Sequence, residues 1–124
     1  MDRSGDLDVQ IRPGEIPIID VDGEIDHFAV PELEHKVMEF LDTGYASIIL
    51  DFTDVSYIDS AGVALIILSI QKTTPLGGKV GLIVIDKNVL KILEIVGITK
   101  LVQAFAMYSS LEEALADMSG DKSG

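Results

Sequence analysis

Three consecutive runs decide the fold: Ser47-Ile-Ile-Leu-Asp-Phe52, Tyr57-Ile-Asp-Ser-Ala-Gly-Val63 and Ala64-Leu-Ile-Ile-Leu-Ser-Ile70. The first is a short apolar run suited to a buried central strand. The third belongs to a segment, Ala61 to about Lys72, that predicts a helix apolar nearly all round. A buried strand that leads into a buried helix is half of a strand–helix–strand unit, the building block of parallel sheets.

On the N-terminal side, Leu7, Val9 and Ile11 alternate with polar residues and predict a short first strand, closed by a turn at Pro13-Gly14. Ile16 to Val21 predicts a second strand. From Ile19 the alternation is strict, with Ile19, Val21 and Ile25 on one face and Asp20, Asp22, Glu24 and Asp26 on the other. Gly23 is expected to bend this segment. Pro31 suits the first turn of a helix carrying Leu33, Val37, Phe40 and Leu41, which stops at Thr43-Gly44.

On the C-terminal side, Pro75 and Gly77-Gly78 mark a loop and Val80 to Ile85 a buried strand. Asp86 can cap a helix with Val89, Leu90, Leu93 and Val96 facing inward and Gly97 just past its end. Leu101 to Ala106 predicts a last strand. Ser110 and Glu113 form a capping-box pattern ahead of Leu111, Ala114, Leu115 and Met118. The expected architecture is α/β: a single mixed, largely parallel sheet of about five strands with four helices, in the order β-β-α-β-α-β-α-β-α. One domain is expected over residues 7–118, with flexible ends at 1–6 and 119–124.

The 124 residues carry a formal charge of −12. Residues 1–62 hold fifteen acids and three bases, whereas the second half balances six acids with six lysines. This distribution argues against nucleic acid and against an anionic membrane surface, and favours a partner with basic side chains. The absence of cysteine excludes disulfides and thiolate chemistry, and is compatible with a reducing cytoplasm. The start of the chain lacks the apolar run of a signal peptide, and Ala61–Ile70 falls short of the ~18 residues a membrane span needs. A cytoplasmic location is expected. Nothing in the residues sets an oligomeric state.

Chemistry concentrates at Ser60, at the head of the apolar helix. One reading makes it a structural cap, worth about 1 kcal/mol. The other makes it a phosphate acceptor, because a helix N-terminus offers free N–H groups and partial positive charge, and phosphorylation adds about −1.5 to −2 charges. Asp59 either orients that serine or completes the turn, and Asp26 is either a partner contact or a solvated turn aspartate. Asp20 to Asp26 is not an EF-hand loop, since Ile25 stands where that motif needs glycine. A nucleophile elbow is also missing, because Ile58 replaces its first glycine and both histidines, His27 and His35, precede the serine. No enzymatic activity, metal or cofactor is expected. Val63, Ile66, Ile67 and Ile70 either form an exposed apolar patch beside Ser60 suited to a partner, or form a self-association surface, or are covered by the next helix.

Asp59-Ser60-Ala61-Gly62, placed after Ile48-Ile49-Leu50-Asp51 and Val55, resembles the phosphorylation-site signature of STAS domains, in particular the bacterial anti-sigma factor antagonists. Gly23-Glu24-Ile25-Asp26, Gly77-Gly78, Val96-Gly97-Ile98 with Leu101, and Ser110 to Leu115 are similar to further family features in the same order. The resemblance implies a protein that binds an anti-sigma factor with ATP-dependent serine kinase activity and so releases a sigma factor. It implies phosphorylation of Ser60 by that kinase and reversal by a PP2C-type phosphatase. It places the partner contact on Asp26, Asp59, Ser60, Ala61, Gly62, Val63 and Ile66. Ala61 departs from the serine or threonine often found there. The alternative within the same family is a scaffold module that does not switch.

Overall fold

The computed structural model describes residues 7–12, 14–98 and 105–120. Five strands form one sheet in the spatial order β1-β2-β3-β4-β5. They are β1 (Leu7–Arg12), β2 (Ile18–Ile25), β3 (Ile48–Ile58), β4 (Val80–Ile83) and β5 (Phe105–Tyr108). The first pair is antiparallel and the remaining pairs are parallel. Four helices complete the expected order: α1 (Val30–Asp42), α2 (Ser60–Thr73), α3 (Lys87–Val96) and α4 (Leu111–Gly120).

The sheet separates two apolar layers. Ile19, Val21, Ile25, Ile48, Leu50 and Phe52 face α1, α2 and α3. Ile18, Ile49 and Ile83 on the opposite face pack with Ala114 and Met118 of α4. Alternating side chains along each strand produce this division. β3 therefore runs at the centre of the sheet with β2 beside it, and their C-terminal ends carry the Asp26 loop and Ser60.

β3 is longer than the apolar run Ser47–Phe52 indicated. It continues to Ile58, with Val55 and Ile58 buried and Asp54, Ser56 and Tyr57 exposed. Opposite Asp20 and Asp22 of β2 stand Asp51 and Asp54, and opposite Gly23 and Glu24 stand Val55 and Tyr57. Each step inserts one extra residue in β3, the signature of a bulge. The bulges convert alternation by two into Phe52, Val55, Ile58, spaced by three. Gly23 lies between these irregularities with φ 126°, a conformation suited to glycine, so the expected bend is present.

The helix termini follow local chemistry. Asp86 Oδ1 accepts the N–H groups of Asn88 and Val89, and Gly97 closes α3 at φ 76°. Ser110 Oγ accepts the Glu113 N–H, while Glu113 Oε1 reaches back to the Ser109 N–H rather than that of Ser110. Val96 corrects the expected inward stripe of α3. Val89 and Leu93 are buried, but Val96 is 46% exposed, because the stripe ends one turn earlier at Leu93. α4 runs to Gly120, past the expected boundary at 118. Residues 1–6, Pro13, Leu101–Ala104 and 121–124, on which the expected ends, the first turn and the start of the last strand fall, lie outside the described residues. The described last strand is Phe105–Tyr108.

Candidate functional site

The site forms where β2 and β3 end side by side. The Asp59 N–H donates to the Ile25 carbonyl at 3.2 Å, so the final residue of β2 holds the head of α2. Asp59, not Ser60, caps this helix. Its Oδ1 accepts the N–H groups of Ala61 (3.0 Å) and Gly62 (3.2 Å), and its main-chain carbonyl accepts that of Val63 (3.1 Å). Its other oxygen, Oδ2, accepts the His27 N–H at 3.0 Å. One carboxylate thus ties the loop after β2 to the helix after β3.

Ser60 is the first helical residue and is exposed. Among the described residues its hydroxyl has no hydrogen-bond partner. The capping alternative for Ser60 is thereby displaced, because Asp59 already supplies the cap. Of the helix N-terminal N–H groups expected to be free for a phosphate, those of Ala61, Gly62 and Val63 are engaged by Asp59.

Asp26 closes the neighbouring loop. Its Oδ1 accepts the N–H groups of Phe28 (3.1 Å) and Ala29 (3.0 Å), and its carbonyl accepts those of Ala29 and Val30. This is the turn aspartate of the sequence reading, and it leads directly into α1. The turn leaves Phe28 63% exposed, with the His27 ring against it at a centroid distance of 4.1 Å.

The structure buries most of the apolar residues expected near Ser60. Val63, Ile66 and Ile70 are at most 5% exposed and belong to the core, and Ile67 is half-buried. The exposed-patch expectation is corrected. α2 is apolar all round because the sheet covers one side and α1 packs on another. Its polar residues obey the same burial: Ser69 Oγ donates to the Leu65 carbonyl, and Thr73 Oγ1 to those of Ser69 and Ile70. Gly62 is also buried, and a Cβ there would lie 2.5 Å from Ile58 Cγ1 and 2.9 Å from Ile25 Cγ2. Of the expected contact residues, Ser60 is open, Asp26, Asp59 and Ala61 are half-buried, and Gly62, Val63 and Ile66 support them from beneath.

Sequence reasoning missed His27 and Phe28 as surface neighbours of this site. A phenylalanine between a strand end and Pro31, with no apolar partner at helical spacing, was the available signal for Phe28.

Away from Ser60, the uncovered outer face of β1, β2 and β3 gathers Asp8, Gln10, Asp20, Asp22 and Asp54 around a shallow cavity of about 90 Å³. Arg12 pairs with Asp20 at 3.0 Å. Burial, followed by the nearby Asp51 carboxylate, raises the Asp20 pKa above the ordinary aspartate value, and Arg12 offsets part of this. Among the described residues no group of three or more His, Asp or Glu is arranged to hold a metal, and no helix is long and apolar enough to cross a membrane.

The STAS domain model matches residues 6–114, which include all five strands and the Ser60 turn. The chain belongs to the STAS domain family. This STAS domain is 30% identical over 82 residues to a candidate anti-sigma factor antagonist of Thermotoga neapolitana, an alignment spanning 66% of this chain and 70% of that protein. It is 25% identical over 101 residues to the anti-sigma-B factor antagonist of Bacillus subtilis, spanning 81% and 92%. Its fold is similar to the solved structure of the Bacillus cell-fate determinant SpoIIAA in the phosphorylated form. That similarity has a TM-score of 0.69 at 24% identity and covers 89% of this chain and 98% of the other. The five-stranded mixed sheet with four helices is the architecture expected from the sequence.

Proposed function

We propose that this STAS domain is an anti-sigma factor antagonist switched by phosphorylation of Ser60. It binds an anti-sigma factor that is an ATP-dependent serine kinase, and so releases a sigma factor. Phosphorylation ends the complex, and a PP2C-type phosphatase restores it. The domain is a substrate and binding partner rather than a catalyst.

The observation that carries this reading is the division of labour between Asp59 and Ser60. Asp59 does the structural work of the cap, leaving an exposed hydroxyl with no structural duty. Modification of that hydroxyl need not disturb the helix. The added −1.5 to −2 charges would stand beside the carboxylates of Asp59 and Asp26. A partner seated on the Asp26 loop, Phe28 and the first turn of α2 would meet both the bulk and the charge. The similarity to two proteins named as antagonists supports the same partner class.

The test is incubation with the candidate anti-sigma kinase and ATP, followed by intact mass and peptide mapping. One phosphate on the peptide containing Ser60 is expected. Phosphate elsewhere, or none while the kinase modifies a control substrate, contradicts the proposal.

A further inference from the structure

We infer that His27 is a positioning residue for the phosphoryl group on Ser60, and supplies its counter-charge. This inference rests on the proposed modification and concerns what happens after it. Asp59 holds the N–H groups of Ala61, Gly62 and Val63 in the first turn of α2. A phosphoryl group on Ser60 would have to displace Asp59 to use those three donors. The charged groups on the elements that meet here are mostly acidic: Glu24 on β2, Asp26 on the loop, Glu32 in the first turn of α1, and Asp59 at the head of α2.

His27 supplies the imidazole of this junction, a side-chain type that can carry a positive charge. Its backbone N–H is anchored on Asp59 Oδ2, and its Nδ1 lies 3.7 Å from the same oxygen. Its side chain is 67% exposed and braced by the Phe28 ring. Ser60 is the residue after Asp59, so a phosphate on its hydroxyl is added next to the carboxylate that His27 already contacts, and charges act over ~8 Å at physiological ionic strength. A phosphate dianion added beside the Asp59 carboxylate favours the imidazolium form, and the imidazolium favours the dianion. His27 therefore draws the phosphate toward the Asp26 loop and offsets its repulsion from Asp59.

The test uses the full chain with phosphoserine installed at position 60 during translation, so that it does not depend on any kinase. The ring nitrogens of both histidines are followed by ¹⁵N NMR at pH 7, and the phosphate by ³¹P titration. His35 is the internal control, since it sits on α1 with Glu39 at 3.4 Å. The His27 signals are expected to move toward imidazolium on phosphorylation, with those of His35 unmoved. In His27→Gln, which keeps the backbone N–H, the phosphate midpoint should rise by about half a pH unit or more. Unmoved His27 signals, an equal response from His35, or a phosphate midpoint unchanged in His27→Gln each overturn the inference. None of these outcomes bears on whether a kinase modifies Ser60, which the mass mapping decides separately.

Discussion

Asp59 and His27, 32 residues apart, are joined by a 3.0 Å hydrogen bond from the His27 N–H to Asp59 Oδ2. Because Oδ1 of the same carboxylate caps α2, one side chain sets both the loop and the helix that border Ser60. Asp59→Ala removes the cap and the loop tether together. A loss of about 1–2 kcal/mol is expected in urea denaturation. Asp59→Asn, which keeps an acceptor oxygen, should lose less. An unchanged midpoint for Asp59→Ala would show that the cap contributes nothing.

Gly62 sets how closely α2 approaches the strand ends. A Cβ at 2.5 Å from Ile58 and 2.9 Å from Ile25 forces side chains or helix to move. Gly62→Val should destabilise by about 1–3 kcal/mol through overpacking. Ala64→Val, at an exposed position of the same helix, should change stability by less than about 1 kcal/mol. Equal effects at both positions would contradict the packing described.

Phe28 is exposed beside the Asp59 tether and outside the core. Phe28→Ala is expected to weaken binding of the anti-sigma partner about tenfold while changing the unfolding free energy from urea denaturation by no more than about 0.5 kcal/mol. Isothermal titration of the variant, beside its denaturation curve, separates the two. Unaltered affinity would remove the Asp26 loop from the interface.

Asp20 lends itself to a pH test. Its pKa is raised in the folded protein by burial and by Asp51, so the folded state favours its neutral form. Ionisation at neutral pH therefore works against folding. The stabilising contribution of the protonated group is present below the ordinary aspartate range and is lost as pH rises through the raised value. Asp20→Asn should increase thermal stability at pH 7, less the modest value of the exposed Arg12 pair. That gain should vanish as pH falls below the ordinary aspartate range. A gain that persists in acid would point to a cause other than charge.

The order of elements was legible because most apolar residues obey one period at a time. Leu33, Val37 and Leu41 mark α1, and Leu7, Val9 and Ile11 mark β1. β3 was truncated because its two bulges replace period two with Phe52, Val55 and Ile58. α2 misled in a different way. Its uniform apolarity reflects double coverage, by sheet and α1, which a single segment cannot reveal. At the site, the spacing located Ser60 correctly at the head of a helix. It could not say that Asp59 would take the cap and leave the hydroxyl open. Nor could it show that His27, 32 residues upstream of Asp59, would be brought to the same carboxylate. Those facts depend on β2 and β3 lying side by side, a long-range pairing.

The Ser60 switch is tested most directly by the affinity of the anti-sigma partner for two forms of the full chain, Ser60→Ala and the protein phosphorylated at Ser60. The alanine variant should bind as the unmodified protein does, and phosphorylation should weaken binding by roughly 100-fold or more, as expected for charge added within a close interface that is already acidic. Equal affinity of the two forms would contradict the switch.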